Sequence, residues 1–99
     1  MKSIKKYAEA IEEELEGAKE YAEMYVEEKA KDNMPIATRY KEMANDELKH
    51  ANYIHEMAVK KIEEVSKVYT PPAEMEEAWT KSHKEYVEKA AWIKQMLAM

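Results

Sequence analysis

The amino-acid sequence predicts an all-α protein, an antiparallel helical hairpin followed by a third helix. Three observations carry that expectation. Only one Gly and three Pro occur in 99 residues, and Ala, Glu, Lys and Met, all strong helix formers, recur throughout. Apolar residues return with the helical period over long stretches. Two short breaks, Asp32-Asn33-Met34-Pro35 and Thr70-Pro71-Pro72, divide the chain into three such stretches. A chain of this length is expected to form one domain spanning residues 1–99.

Composition excludes several classes of function. There is no Cys, so disulfides, zinc–thiolate sites, iron–sulfur clusters and cysteine nucleophiles are ruled out. A formal net charge of −5 argues against nucleic acid or an anionic membrane as partner. No segment approaches the roughly 18 consecutive apolar residues of a membrane span, and no signal-peptide pattern opens the chain. A cytoplasmic protein is the expectation. Ser3, Ser66 and Ser82 have no context resembling a catalytic triad.

The first helix is expected over about residues 3–31, with Ser3 as N-cap. Ile4, Tyr7, Ala8, Ile11, Leu15, Ala18, Tyr21, Ala22 and Tyr25 hold the helical period. With Ile4 at heptad position a, the d positions are Tyr7, Glu14 and Tyr21. Glu14 is thus the one charged residue within the expected buried stripe. Gly17, the only glycine, costs about 1 kcal/mol relative to Ala in a helix; it either admits a neighbouring backbone or is a tolerated surface residue.

The second helix is expected over about 35–69, since Pro35 suits a first helical turn and so short a break joins antiparallel neighbours. Ile36, Tyr40, Met43, Glu47, His50, Ile54, Met57, Val65 and Val68 form one row, and Ala37, Ala44, Leu48, Ala51, Ala58 and Ile62 a second. Lys61 can snorkel. Polar groups interrupt the first row centrally at Glu47-Leu48-Lys49-His50, where a carboxylate and an imidazole three residues apart share one helix face. The third helix is expected over about 73–97, with Thr70 as candidate N-cap. Its stripe is Met75, Ala78, Trp79, Ser82, Tyr86, Ala90, Ile93 and Leu97.

Counting along the hairpin brings the interior polar residues together. Glu14 lies nineteen residues before Asn33; Glu47 and His50 lie fourteen and seventeen after it. At about 1.5 Å per residue those positions are roughly 28, 21 and 26 Å from the turn. Two carboxylates and a histidine at one level of a core need a compensating cation. Mixed carboxylate and imidazole donors suit iron, manganese or zinc.

A Glu on one helix followed by Glu-x-x-His on its partner resembles the half-site of the ferritin-like di-iron carboxylate proteins. The 33-residue interval from Glu14 to Glu47, with Tyr21 seven residues after Glu14, is similar to the first helix pair of rubrerythrins. Glu13-Glu14-Leu15-Glu16 with Tyr21 resembles the first helix of the encapsulated ferritins, short chains that build a di-iron centre between two subunits. The resemblance covers residues 4–60. It implies a ferritin-like four-helix bundle completed by dimerisation, with Glu14, Glu47 and His50 as metal ligands and catalytic residues.

This chain departs from the complete pattern. It holds one Glu/Glu-x-x-His set where a full bundle holds two, so the implied cofactor is two iron ions per dimer. The implied partners are a second copy or a higher homo-oligomer, with Fe(II) and oxygen or peroxide. An encapsulin shell is a further partner of the resembled proteins, although no targeting peptide is seen. Glu13 and Glu16 are candidates for a secondary site through which metal enters.

The resemblance implies iron oxidation of the ferroxidase kind. Peroxide reduction of the rubrerythrin kind is the alternative at the same site, although no rubredoxin-like donor domain is present. The non-enzymatic alternative is an oligomerisation module whose Glu14, Glu47 and His50 form a buried polar layer specifying pairing. Tyr21, Tyr25 and Tyr40 are core aromatics or neighbours of the metal. His55 and His83 read as ordinary histidines, and the eight Met as packing residues.

Overall fold

The helical period becomes three helices: α1 (Lys2–Ala30), α2 (Met34–Ser66) and α3 (Ala73–Leu97). This computed structural model describes residues 2–99, with side chains from Ile4 onward. Contacts between α1 and α2 pair Glu14 with His50, Gly17 with Glu47 and Tyr21 with Tyr40. One number rises as the other falls, so the two helices are antiparallel. Glu16 meets Lys89, and Lys29 meets the Met99 carbonyl; α3 therefore runs parallel to α1. The result is an elongated all-α arrangement, 55 × 17 × 17 Å.

The three-residue turn between α1 and α2 rests on Asp32, which takes the left-handed conformation with φ 59°. Asp tolerates that region better than most residues. The Asn33 amide then reaches back to the Glu28 carbonyl (2.9 Å), closing the end of α1. Asn33 occupies the N-cap position of α2, yet its side chain donates to Glu28 Oε2 (2.9 Å) and makes no capping bond.

Two expected caps are not caps. Ser3 lies within α1, and Pro72, not Thr70, stands at the N-cap position of α3. The ends of α1 and α2 come a little earlier than expected, at Ala30 and Ser66.

The larger correction concerns α2. Its buried residues are Ala37, Ala44, Ala51, Ala58 and Val65, spaced every seven residues. Ala37, Ala44 and Ala51 of this row share one continuous core with Ile11, Leu15, Ala18, Ala22 and Tyr25. Small side chains let the two helix backbones approach closely, so the alanine row is the seam. Of the expected first row Val65 is buried, but Ile36, Met43 and Met57 lie at the edge, 45%, 39% and 49% exposed. The third helix does not cover them, because it packs chiefly along α1, burying Ala90, Ile93 and Leu97. Each fully buried Ile or Leu contributes about 1.5–3 kcal/mol, and Ile93, with no exposure, anchors the C-terminal half of α3.

Candidate metal centre

At the middle of the hairpin the seam opens around Glu14, Glu47 and His50. The antiparallel register sets these residues at one level, as the residue count predicts. His50 Nδ1 lies 3.5 Å from Glu14 Oε2 and 3.7 Å from Glu47 Oε1. One donor atom from each of the three falls within 4.8 Å of the others. The site is shallower than a buried stripe would make it: both carboxylate side chains are 27% exposed and that of His50 is 52% exposed.

The electrostatics are those of a cluster lacking positive charge. Glu14 Oε2 is buried without a hydrogen-bond partner. Glu47 has its pKa raised, first by its hydrogen-bonding proximity to the Glu14 carboxyl, then by burial and by the Glu14 charge; His50 opposes the shift. Two carboxylates forced together hold a proton at higher pH than either would alone. A divalent cation relieves the same repulsion. Donor atoms on one such ion sit about 2.0–2.2 Å from it, and so up to about 4 Å apart. Glu14, Glu47 and His50 need little movement to meet that requirement, and the donor chemistry suits iron, manganese or zinc.

Gly17 borders the site. A Cβ there would stand 3.1 Å from Glu47 Oε2. The glycine thus admits the Glu47 carboxylate, a side chain rather than a neighbouring backbone. Tyr21 and Tyr40 stack two helical turns closer to the hairpin turn, with centroids 6.3 Å apart. Tyr25, further on, is buried and carries Lys29 and Lys41 over its ring.

Glu13 and Glu16 lie on an exposed acidic face of α1 with Glu9, Glu12 and Glu20. Glu16 reaches across to Lys89 of α3, and this hydrogen bond and charge hold its carboxyl below the usual range. It therefore ties α3 to α1.

His55 and His83, read singly from the sequence as ordinary histidines, form a pair: His55 Nε2 lies 2.9 Å from His83 Nδ1. Trp79 and Tyr86 stack on His55. The signal for that pairing lies in the docking of α3, which no local pattern encodes.

No helix among the described residues is long and apolar enough to cross a membrane. Comparison with known protein families, characterised proteins and solved structures finds no match to this chain.

Proposed function

We propose that this chain is a ferritin-like di-iron protein that oxidises Fe(II) at a site shared between two copies. The observation carrying the proposal is the buried Glu14 Oε2, without a hydrogen-bond partner, beside Glu47 and His50, three donors within 4.8 Å. One set supplies two carboxylates and one imidazole. Two sets supply four carboxylates and two imidazoles, the complement of a two-metal carboxylate site.

The face around the site supports a second copy as the other half. Ile36, Met43, His50 and Met57 follow one another at heptad spacing along α2, all exposed. A stripe of large apolar side chains interrupted by a metal-binding residue is a self-complementary surface for a two-fold axis. Packing two hairpins through it would make a four-helix bundle with both ligand sets inside.

Fe(II) is the substrate, and each pair of ions oxidised to Fe(III) releases two electrons. Dioxygen accepts them with two protons to give hydrogen peroxide; peroxide accepts them with two protons to give two waters. The protein's part is to bind the ions through Glu14, Glu47 and His50 and hold them in a fixed arrangement. Residence in the cytoplasm or in a protein compartment belongs to the same proposal.

The test is the rate of Fe(II) oxidation with each oxidant. Wild type accelerating it well above buffer, with E47A and H50A at the buffer rate, supports the proposal. A large preference for peroxide over oxygen assigns rubrerythrin-type chemistry instead. Wild type and both variants at the buffer rate would leave a pairing module with a polar layer.

A further inference from the structure

The two halves of α3 are held differently. Its C-terminal half buries Ala90, Ile93 and Leu97 against the hairpin, with ties from Glu16 to Lys89 and from Lys29 to the Met99 carbonyl. Its N-terminal half has no buried residue from Ala73 to Glu88. An open groove of about 640 Å³, lined in part by Ile4, Ala8, Met75 and Trp79, lies between its first two turns and α1, and only Trp79 and Tyr86 of this half reach the core, partly buried. What joins it to α2 is a cluster of rings around His55. His83 Nδ1 stands 2.9 Å from His55 Nε2, while Tyr86 stacks nearly parallel to His55 (7°, centroids 5.0 Å) and Trp79 stacks at 5.6 Å.

We propose that the His55–His83 pair is a proton-operated clasp, holding residues 73–86 of α3 against α2 at neutral pH and releasing them in mild acid. Two ring nitrogens can face each other at hydrogen-bond distance only if one of them lacks a proton. The neutral pair meets that condition through its tautomers. A singly protonated pair also meets it. A doubly protonated pair does not, since both facing nitrogens are then donors on adjacent cations.

The groups around the pair bias it in the same direction. Burial disfavours the His55 cation most, the His83 charge adds to that, and Glu56 on α2 opposes both. Tyr86, from α3, has its hydroxyl pKa raised by burial and by Glu56, so it stays neutral throughout this range. Among the described residues, α1 contributes no charged group acting on His55. His55 is therefore protonated more readily after release than before it. With a released-state pKa near the ordinary 6.5, the clasp is closed above that value and weakens as pH falls below it. At pH 5.5 each proton that the closed pair refuses favours release about tenfold.

Amide hydrogen exchange of metal-free wild type at pH 7.5 and pH 5.5, expressed as protection factors, tests the clasp. Protection across residues 76–86 should fall about tenfold or more, while residues 90–97 keep theirs. H55F/H83F and, separately, H83Q should keep the protection of residues 76–86 at pH 5.5. Equal wild-type protection of residues 76–86 at both pH values would overturn the clasp. So would a loss shared uniformly by all three helices, or the same acid-induced loss in either variant. The wild-type profile decides the matter even if a variant does not fold.

Discussion

The Glu47 carboxylate of α2 occupies the space that a side chain at Gly17 of α1 would enter, its Oε2 lying 3.1 Å from the position of a Cβ there. A helix-interior glycine costs about 1 kcal/mol relative to alanine, and here that cost keeps a carboxylate seated beside Glu14. G17A should therefore move two properties in opposite directions. The metal-free protein should gain up to about 1 kcal/mol in stability, since the flexible end of Glu47 yields a few tenths of an ångström. Divalent metal affinity should fall, and fall further in G17L. Thermal unfolding and Mn(II) titration of the same samples check both; unchanged affinity in G17L would remove Gly17 from the site.

The crowding of Glu47 against Glu14 sets a pH dependence. The pKa of Glu47 is raised above its ordinary 4.5, so the metal-free folded state binds more protons than the unfolded state just above that value. Stability should therefore decline as pH rises from 4.5 through the raised pKa. E47Q removes this titration and the repulsion behind it. At pH 7 metal-free E47Q should melt higher than wild type, with the difference shrinking toward pH 4.5, and it should lose metal binding. A lower melting temperature for E47Q at pH 7 would contradict this account of the site.

The alanine seam makes a separate prediction. Ala51 is fully buried between α2 and α1, as are Ala44 and Ala58. A51L has no room without separating the helices, and overpacking of this kind costs about 1–3 kcal/mol. Urea denaturation should show that loss, and an A51L protein as stable as wild type would mean that the seam is looser than its burial indicates.

That seam also marks where sequence reasoning reached its limit. Helix number, order and approximate bounds follow from period and breaks. The meeting of Glu14, Glu47 and His50 follows from counting along a hairpin, because two antiparallel rods joined by a short turn have only one register to within a turn. Which row of α2 is buried does not follow in the same way. Hydropathy favours the larger Ile36, Met43 and Met57, whereas a close helix pair selects small residues, and alanine is only weakly apolar. Most of the expected row lies instead at the open edge that this chain leaves uncovered. The caps expected at Ser3 and Thr70 likewise rested on residue type, and a cap is a geometry that the type permits without requiring. The His55–His83 pair depends on where α3 docks, and Glu16 depends on it equally.

The uncovered edge should be the interface. M43E/M57E places charge on two exposed positions that one chain does not need for its core. Sedimentation should find wild type as a dimer or larger assembly and M43E/M57E as a monomer with unchanged helical circular dichroism. An assembly that survives this substitution would locate the contact elsewhere.

The central claim is that Glu14, Glu47 and His50 make half of a metal centre whose other half is a second copy. It is tested most directly by measuring iron content and molar mass together on one sample, with native mass spectrometry after anaerobic Fe(II) loading. The account predicts dimers, or multiples of dimers, holding about two irons per pair of chains, and no bound iron in E47A/H50A. Monomers holding iron, or wild-type assemblies as iron-free as E47A/H50A, would contradict it.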